Sequence, residues 1–584
     1  MTALNVPPIT WIEDATGLEE AARALAHAEA VGLDTETTGL DPHRARLRLI
    51  QLATPETVYL IDASRFSDLG PLKAILEAPR PIKILHHAKF DAKFLRRRYG
   101  IRLAGIFDTM LASQLLGSSE GHSLAAVASR WAGITLDKTM QRSDWSGALS
   151  EEQVRYAAHD AAVLLALREA MRPALLTEKL GRVAALEFAA APAIGGIELA
   201  GIRLDGVKWL ALAREREREH AALAEALHRA LAAADPQLAL FPDHAASTLN
   251  LNSVPQVMRA LAQLGIQVPD TDDLTLGPLA SSHPVIAKLL EYRHAAKALS
   301  SYGESFLSYI HPVTGRIHPE FHQLGADTGR MAASNPNIQQ IPNQERYRAC
   351  FVADPGNQLV IADYSQIELR ILAEVSGDAQ LRHAFETGAD LHRLTAAMMF
   401  GIPLDEVSKD ARQRAKALNF GMVYGMGPSG LATRIGSTLD EAKELIDRYF
   451  AAYPGVRAWL RQAARKAVES GECTTLGGRR IRFAIPDPEN RRAIAGIERV
   501  GKNAPLQGTS ADITKRAIAL LDSRLPPETR IVNVVHDEIV VEAPTDAAPH
   551  VAALLRETMR EAAETYLKRV PVSVEADVAE AWIK

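Results

Sequence analysis

The chain has little cysteine, few aromatic residues and no strong excess of charge of either sign. Cys350 and Cys473 are its only cysteines, which disfavours a disulfide scaffold or a cysteine-based zinc site and fits a reducing compartment. The formal net charge is −5, so any contact with nucleic acid must come from local basic patches. No apolar run reaches the ~18 residues of a membrane span, and the first residues lack a signal-peptide pattern. We therefore expect an intracellular, cytoplasmic protein.

The 584 residues are 47% hydrophobic and 23% charged, which supports several packed domains. Strand patterns at 31–34, 47–52, 58–61 and 82–85, followed by helical patterns to about 180, predict a compact N-terminal α/β unit. The pattern predicts helix over 206–234 and mostly helix over 376–470, an irregular stretch at 235–253, a hairpin around Asp537 and a helix from about 545 to 568.

Two acidic motifs dominate the C-terminal part of the chain. Asp363 ends the apolar run of 360–362, and Asp537 follows the apolar run of 534–535. A carboxylate at the end of a buried strand is costly unless a cation holds it. Either residue alone could be an ordinary strand-end or turn carboxylate. Two such residues on separate strands instead predict a two-metal site for phosphoryl transfer.

A second acidic set lies near the N-terminus. Asp34 and Glu36, two residues apart, lie on one face of a strand, and like charges this close repel unless a cation separates them. Tyr156 and Asp160 share a helix face. With Asp91, these residues could hold two divalent ions and orient a water for attack on a phosphodiester. Taken singly, Asp91 fits an exposed helix residue and Tyr156 a core aromatic.

Taken in their order along the chain, the residues of this N-terminal acidic set resemble the tyrosine-containing type of the DEDD exonuclease family, and the resemblance covers roughly residues 5–175. That resemblance implies removal of single nucleotides from 3′ ends, with Asp34, Glu36, Asp91 and Asp160 as metal ligands. Members attached to polymerases usually carry Asn four residues before the second-motif Asp, where this chain has His87.

The segment 412–425 carries Arg412, Lys416, Phe420 and Tyr424 at intervals of four residues. This spacing places them in a slowly winding stripe on one helix face. Two cations followed by two aromatic rings suit a triphosphate with a base stacked beyond it. An amphipathic helix with solvated cations and buried rings would explain the spacing equally well.

Over about residues 185–584 the chain resembles the family A DNA polymerases. Five motifs occur in the family's order, at 328–337, 360–370, 412–425, 498–508 and 534–541. The resemblance implies an α/β and α+β multidomain fold, with a ribonuclease H-like exonuclease domain (1–180) followed by a right-hand polymerase (181–584). Within the latter we expect a thumb near 206–305, fingers near 376–495, and a palm formed by the remainder.

The resemblance also implies residue roles. Asp363, Asp537 and the Tyr364 carbonyl would bind metal, with two Mg²⁺ ions in each active site and Mn²⁺ as a substitute. The residues implied to hold the incoming nucleotide are Arg412, Lys416, Phe420, Tyr424, Glu368, His392 and Tyr364. Within that group, Glu368 would block a ribose 2′-hydroxyl and pair with Tyr424. The residues implied to contact DNA are Arg330, Arg499, Asn503, Gln507, His536 and Glu538.

The implied partners are primer-template DNA, dNTPs and a single-stranded 3′ end. We expect the protein to bind them as a monomer. We also expect it to be associated with the nucleoid, or to act in a host cell if the protein is viral. The net basic segment 479–502 could contact phosphates, although a solvated surface is an alternative. Two other functions compete with DNA synthesis and proofreading. One is a nuclease whose polymerase part only binds DNA. The other is a non-catalytic DNA-binding or processivity module, which metal-dependent nucleotide incorporation would exclude.

Overall fold

The structure is a computed structural model that describes residues 6–117, 120–137, 139–140, 143–232, 249–485 and 487–583. Most of the stretch predicted to be irregular, 235–253, lies outside the described residues. The chain divides into two compact units. The first comprises Met1–Ile202, Pro312–Gln340 and Ala353–Glu580, and the second comprises Arg203–His311, Ile341–Val352 and Ala581–Lys584.

The N-terminal part of the first unit is a six-stranded mixed sheet with helices on both faces. Its strands are β1 (Ile9–Ile12), β2 (Ala30–Thr37), β3 (Leu47–Ala53), β4 (Val58–Asp62), β5 (Ile82–Leu85) and β6 (Ile106–Asp108), in the order β1-β4-β3-β2-β5-β6. Its helices are α1 (Ala15–Ala26), α2 (Pro71–Glu77), α3 (Ala88–Tyr99), α4 (Thr109–Leu115), α5 (Leu124–Ala132) and α6 (Glu151–Thr177). The predicted strands at 31–34, 47–52, 58–61 and 82–85 are confirmed.

Alternation along the strands sends apolar side chains to both faces of this sheet. Val31 and Leu33 of β2 join the core that α1, α2 and α3 cover. Leu49 and Ala53 of β3 join a second core under α6. Gly32 lets α6 come close to the sheet, because a Cβ there would lie 2.1 Å from the Ala161 carbonyl oxygen.

Helix α7 (Gly181–Ala200) follows, and β7 (Ile202–Leu204) comes after it. The length and mean hydropathy of 1.5 of α7 would be sufficient for a membrane span, but Arg182, Glu187 and Glu198 interrupt its apolar sequence, so no uninterrupted apolar run of that length occurs in it. In the structure, 72% of this apolar window is buried, and α7 packs against α3. It is a core helix of the first unit.

The second unit is mainly helical. Its helices are α8 (Gly206–Ala232), α9 (Val254–Gln263), α10 (Asp273–Leu276), α11 (Pro284–Tyr302) and α12 (Glu345–Arg348), with 3₁₀ turns at Gly277–Leu279 and Glu304–Tyr309. The predicted helix is confirmed over Gly206–Ala232 as α8, and the last two residues of the prediction, 233 and 234, lie outside the described residues. Strand β11 (Phe351–Val352) pairs with the end of β7, with Phe351 opposite Leu204. The Trp209 ring is fully buried and stacks on Phe306 with 4.5 Å between ring centroids.

The C-terminal part of the first unit contains a four-stranded antiparallel sheet and a large set of helices. The sheet runs in the order β15 (Arg530–Val535), β16 (Glu538–Pro544), β12 (Asn357–Tyr364) and β17 (Val574–Ala579). The shorter strands are β8 (Arg316–Ile317), β9 (Glu320–His322), β10 (Ala332–Ser334), β13 (Glu472–Thr474) and β14 (Arg480–Arg482). The expected hairpin around Asp537 is confirmed.

The helices of this part are α13 (Ile367–Ser376), α14 (Ala379–Glu386), α15 (Leu391–Phe400), α16 (Lys409–Val423), α17 (Pro428–Ile435), α18 (Leu439–Ala452), α19 (Pro454–Ser470), α20 (Arg491–Arg524) and α21 (Ala548–Glu564). Two 3₁₀ turns lie at Ile338–Gln340 and Leu404–Glu406. The helix predicted at about 545–568 is confirmed as α21, with shorter bounds.

A buried charge cluster joins α7 to α20. The Glu187 carboxylate accepts hydrogen bonds from Lys515 Nζ at 2.6 Å and from Arg479, and Arg479 also donates to Asp512 Oδ1 at 2.7 Å. Burial alone would raise the pKa of Glu187, but the Lys515 and Arg479 cations together lower it. Arg479 belongs to the basic segment expected to contact phosphates. That expectation is wrong for this residue, which is only 3% exposed and is held by internal ion pairs.

Candidate active sites

The N-terminal acidic residues converge on the face of the mixed sheet that α6 covers. Strand β2 places Asp34 and Glu36 on one face, and Asp160 projects from α6 onto it. Carboxylate oxygens of these three residues all lie within 4.8 Å of one another. Three like charges at this distance require a cation or protons. The structure therefore brings these three predicted residues together.

Asp91 reaches the same cluster from α3. Its Oδ1 accepts a hydrogen bond from the Thr35 hydroxyl at 2.6 Å, which ties α3 to the middle of β2. Asp91 is only 3% exposed, so the alternative of an exposed helix residue is wrong. Burial raises its pKa to about 7.

Burial and mutual repulsion raise the pKa values of the other carboxyl groups as well. Burial first, and then the charges of Asp160 and Asp91, raise the pKa of Glu36 to about 9. Burial raises the pKa of Asp160 to about 7 and that of Asp34 well above its usual range. The cluster therefore retains protons at neutral pH unless a cation replaces them.

Tyr156 is half-buried beside this cluster, and its ring centroid lies 6.4 Å from that of Trp145. Burial and the neighbouring Asp160 carboxylate raise the pKa of its phenol, which therefore stays protonated and can donate a hydrogen bond. His86 Nδ1 lies 2.9 Å from the Thr109 hydroxyl. Among the described residues, the clustered metal-ligand atoms come from carboxylates alone and include no histidine.

His87, the residue that departs from the exonuclease pattern, precedes α3 with a positive φ of 67°. Burial, followed by the charges of Lys89 and Lys93, lowers the pKa of its imidazole to about 4, so the ring is neutral. Both lysines bind the buried Glu198 carboxylate of α7, at 2.5 and 2.7 Å. These two ion pairs fix the helix that carries Asp91.

The C-terminal acidic pair lies at one end of the antiparallel sheet. Asp363 of β12 stands directly opposite Glu538 of β16, and Asp537 occupies the two-residue turn between β15 and β16. The other turn residue, His536, has a φ of 56°. Burial, followed by the charge of Asp363, raises the pKa of Asp537 to about 7. The hairpin thus brings two carboxylates together, as the motifs predicted.

Helix α16 carries the predicted stripe of two cations and two aromatic residues. Its buried side chains are Ala415, Leu418, Asn419, Met422 and Val423, so the stripe lies outside the core-facing side. Arg412 Nε donates to Asp390 Oδ2 at 2.8 Å, and Lys416 is exposed. Phe420 is half-buried and Tyr424 is 38% exposed. The amphipathic alternative requires buried rings, and neither ring is fully buried.

The Tyr424 end of this stripe lies near Glu368, Arg330 and Asp537 of the acidic pair. Arg330 Nη2 donates to Glu368 Oε1. Burial, followed by the Glu368 carboxylate beside it, raises the pKa of the Tyr424 phenol, and the charge of Asp537 adds to this shift. The side-chain amide of Asn503 on α20 donates to the Tyr424 carbonyl oxygen at 2.9 Å.

The remaining predicted residues lie around this centre. His392 is buried, and its ring centroid is 5.7 Å from that of Phe420. Burial lowers the pKa of His392 to about 4. Tyr364 is also buried, and its hydroxyl donates to the Met559 carbonyl oxygen at 2.7 Å. On α20, Arg499 is exposed and Gln507 is half-buried, whereas His536 is exposed in the turn and Glu538 is buried.

Sequence reasoning missed several polar residues that support these sites. Thr35 holds Asp91, and Asp390 holds Arg412. Asn419 is fully buried and donates to His392 Nδ1 at 3.0 Å. Gln51 is fully buried on β3, directly opposite Asp34. For Thr35, Gln51 and Asn419 the available signal was a polar residue within an apolar strand or on the core face of a helix, whereas Asp390 is the N-cap of α15.

Two separate carboxylate centres, one beside a stripe of cations and rings, define an enzyme class: metal-dependent phosphoryl transfer at two sites. The sequence model described as DNA polymerase family A matches residues 221–584, and the model described as 3′–5′ exonuclease matches residues 9–176. The chain belongs to DNA polymerase family A and carries a 3′–5′ exonuclease domain. Membership of this family implies the use of divalent metal ions.

Similar proteins agree with this assignment. DNA polymerase I of Pseudomonas aeruginosa is 36% identical over 97% of this chain, and that of Aquifex aeolicus is 35% identical over 98%. The chain spans 65% of the length of the former and 99% of the latter. A solved POL domain of Pol1 from M. smegmatis, in complex with DNA primer-template and dNTP, is 29% identical, with a TM-score of 0.81 and coverage of 98% of this chain and 99% of that one. The predicted family, fold class and class of enzyme are confirmed.

Proposed function

We propose that this chain synthesises DNA on a template by nucleotidyl transfer from dNTPs to a primer 3′-hydroxyl, and that it removes nucleotides from 3′ ends at a second site. The observation that carries the proposal is the convergence of the acidic pair, Arg330, Glu368 and the Tyr424 end of α16 at one end of the antiparallel sheet. The related M. smegmatis protein, solved with primer-template and dNTP, supports the same partners for this chain.

Both carboxylate centres fit divalent metal ions. Mg²⁺ prefers oxygen ligands, and the raised pKa values of Asp537 and Glu36 reflect burial first and then neighbouring negative charge, which a cation would offset. We assign two Mg²⁺ ions to each site, with Mn²⁺ as a substitute. Bound ions stabilise charge on phosphoryl oxygens and lower the pKa of the attacking hydroxyl or water. The assigned ligands are Asp363, Asp537 and the Tyr364 carbonyl in one site and Asp34, Glu36, Asp91 and Asp160 in the other.

In the polymerase site, the cations of α16 would bind the triphosphate. Lys416 is exposed for this purpose, and Arg412 would exchange the Asp390 carboxylate for a phosphate. Phe420 would stack on the incoming nucleotide, with His392 behind it. Glu368 would face the sugar and exclude a 2′-hydroxyl.

The DNA contacts would come from α20, the acidic hairpin and Arg330, which precedes β10. Asn503 and Gln507 lie four residues apart on α20, so their side chains share a helix face. With Arg330 and Arg499 they would bind minor-groove acceptors, which all base pairs offer in similar positions. His536 and Glu538 would support the primer terminus. In the exonuclease site, the Tyr156 phenol would orient the attacking water.

We assign the exonuclease domain to 1–180 and the polymerase to 181–584, with the thumb near 206–305, the fingers near 376–495 and the palm in the remainder. The chain would act as a cytoplasmic, nucleoid-associated monomer in DNA replication, repair or both, or within a host cell if viral.

Primer extension tests the proposal. With Mg²⁺ and all four dNTPs we expect a full-length product, and omission of each dNTP in turn should stop synthesis at the corresponding template position. The same primer without dNTPs should shorten from its 3′ end. Degradation without extension would support the rival nuclease. Absence of both activities would support the non-catalytic DNA-binding module.

A further inference from the structure

Gln51, in the middle of β3, is a fully buried polar residue with an unsatisfied side chain. It is 0% exposed, and neither its amide nitrogen nor its amide oxygen makes a hydrogen bond to any group in the described part of the chain. Buried polar groups are nearly always hydrogen-bonded, because an unsatisfied one keeps the full cost of losing its water. This amide therefore indicates a partner that binds in another state of the protein.

The position of Gln51 indicates what that partner is. Gln51 stands directly opposite Asp34 in the antiparallel pair of β2 and β3. Residues opposite each other in such a pair point to the same face, with Cβ atoms roughly 4.5–5.5 Å apart. Glu36, two residues along β2, is the diagonal neighbour on that face. Gln51 therefore borders the exonuclease carboxylates.

The other neighbours of Gln51 on this face are apolar. Leu60 of β4 stands opposite it on the far side of β3, and Leu49 and Ala53 lie two residues away along β3. All three belong to the apolar cluster beneath α6. An apolar side chain at position 51 would complete this cluster, so packing alone does not account for a glutamine. Within the sheet, its polar neighbours are the metal-site carboxylates.

We propose that Gln51 is a positioning residue of the exonuclease site, whose side-chain amide donates a hydrogen bond to the Asp34 carboxylate when that carboxylate holds a divalent ion. The inference rests on the proposed exonuclease function. The hydrogen bond would fix the orientation of the carboxylate and leave its other oxygen for the ion. Metal-binding carboxylates are generally held by such second contacts, and their loss typically costs about 10–100-fold in metal affinity or activity.

The test is the substitution Gln51→Leu, with Gln51→Met as a second apolar variant of similar size. Two opposite changes are expected. The thermal midpoint of the metal-free protein should rise, because an unsatisfied buried amide is removed without loss of volume. Mn²⁺ affinity of the exonuclease site should fall about 10–100-fold, measured by calorimetry in an Asp537→Asn background to weaken the polymerase site. Degradation of single-stranded DNA should slow similarly, and primer extension by variants with Asp537 intact should not change.

Gln323→Leu is the matched control. Gln323 is also buried, but its amide donates to the Glu187 carbonyl oxygen at 2.8 Å. This substitution should lower the thermal midpoint and leave Mn²⁺ affinity of the exonuclease site unchanged.

Two results would overturn the proposal. A lower midpoint in both apolar variants would mean that the amide has a structural partner in the metal-free fold. Unchanged Mn²⁺ affinity and unchanged degradation would mean that Gln51 does not act on Asp34. Failure of the proposed function is distinguishable, because the unsubstituted chain would then not degrade DNA, and the Mn²⁺ titration would still decide the role of Gln51.

Discussion

Metal binding at the exonuclease site should release protons, because burial and mutual repulsion raise the pKa values of its carboxyl groups. In the metal-free protein the pKa values of Asp91 and Asp160 are about 7 and that of Glu36 is about 9. At pH 7, Asp91 and Asp160 each hold about half a proton and Glu36 nearly one, or about two in total. Asp34, whose pKa is also raised, adds to this number. Because metal ligands must be deprotonated, ion binding releases about two protons or more at pH 7.

Calorimetric titration of the Asp537→Asn variant with Mn²⁺ at pH 7, in two buffers with different ionisation enthalpies, measures this release at the exonuclease site. The protons belong to the coupled cluster, so the total is the meaningful quantity. Apparent affinity should rise by more than about 100-fold from pH 6 to pH 7, since about two to three protons compete with the ion over this range. Asp34→Asn should weaken binding and reduce the release. Binding that is independent of pH and releases no protons would show that the carboxylates are already ionised, and would refute this reasoning.

The same raised pKa values determine how the free energy of unfolding of the metal-free protein depends on pH. The folded-state values exceed those of an unfolded chain, so the folded protein holds more protons between about pH 4 and pH 9. Its free energy of unfolding therefore falls as the pH rises through this window, by about 1.4 kcal/mol per pH unit for each retained proton. The increase in thermal midpoint on adding Mg²⁺ should then be larger at pH 8 than at pH 5.5. An equal increase at both pH values would contradict the trend.

Three further predictions follow from particular contacts. Glu187→Gln should lower the free energy of unfolding by about 3–5 kcal/mol, because it leaves the Lys515 cation buried without its counter-charge. The control Glu178→Gln, at a site 39% exposed, should cost less than about 1 kcal/mol; urea midpoints measure both, and equal effects would refute the argument. Glu368→Ala should raise the ratio of kcat/KM for rNTP over dNTP by about tenfold or more, and an unchanged ratio would exclude Glu368 as the sugar gate. The unsubstituted chain should discriminate strongly against ddNTPs, because Phe420 has no hydroxyl to replace the missing 3′-hydroxyl. Phe420→Tyr should reduce that discrimination by at least about tenfold in an exonuclease-deficient background, and equal acceptance of ddNTPs by both forms would show that Phe420 does not face the sugar.

Much of both sites could be predicted from local periodicity. A spacing of two placed Asp34 and Glu36 on one strand face, and a spacing of four placed Tyr156 and Asp160 on one helix face. These predictions required only the geometry of a single element. The stripe on α16 was ambiguous in the sequence, because spacing alone does not say which helix face packs on the core. The structure resolved it, since other residues of α16 fill that face.

What could not be predicted depends on the register between elements that are distant in the sequence. The hydrogen bond from Thr35 to Asp91 joins residues 56 positions apart, and the placement of Gln51 opposite Asp34 depends on the pairing of β2 with β3. Arg479 lies in an arginine-rich segment that resembles a surface patch. Its acidic partner Glu187 lies 292 positions away, so only the folded chain reveals that this arginine is buried.

The central claim is that one chain contains two independent metal-dependent sites with opposite effects on a primer 3′ end. The most direct measurement follows one labelled primer-template with two variants, Asp34→Ala/Glu36→Ala and Asp537→Ala, in Mg²⁺ with and without dNTPs. The first should extend the primer and fail to shorten it, whereas the second should shorten it and fail to extend it. Loss of both activities in either folded variant would contradict the assignment of two separate sites.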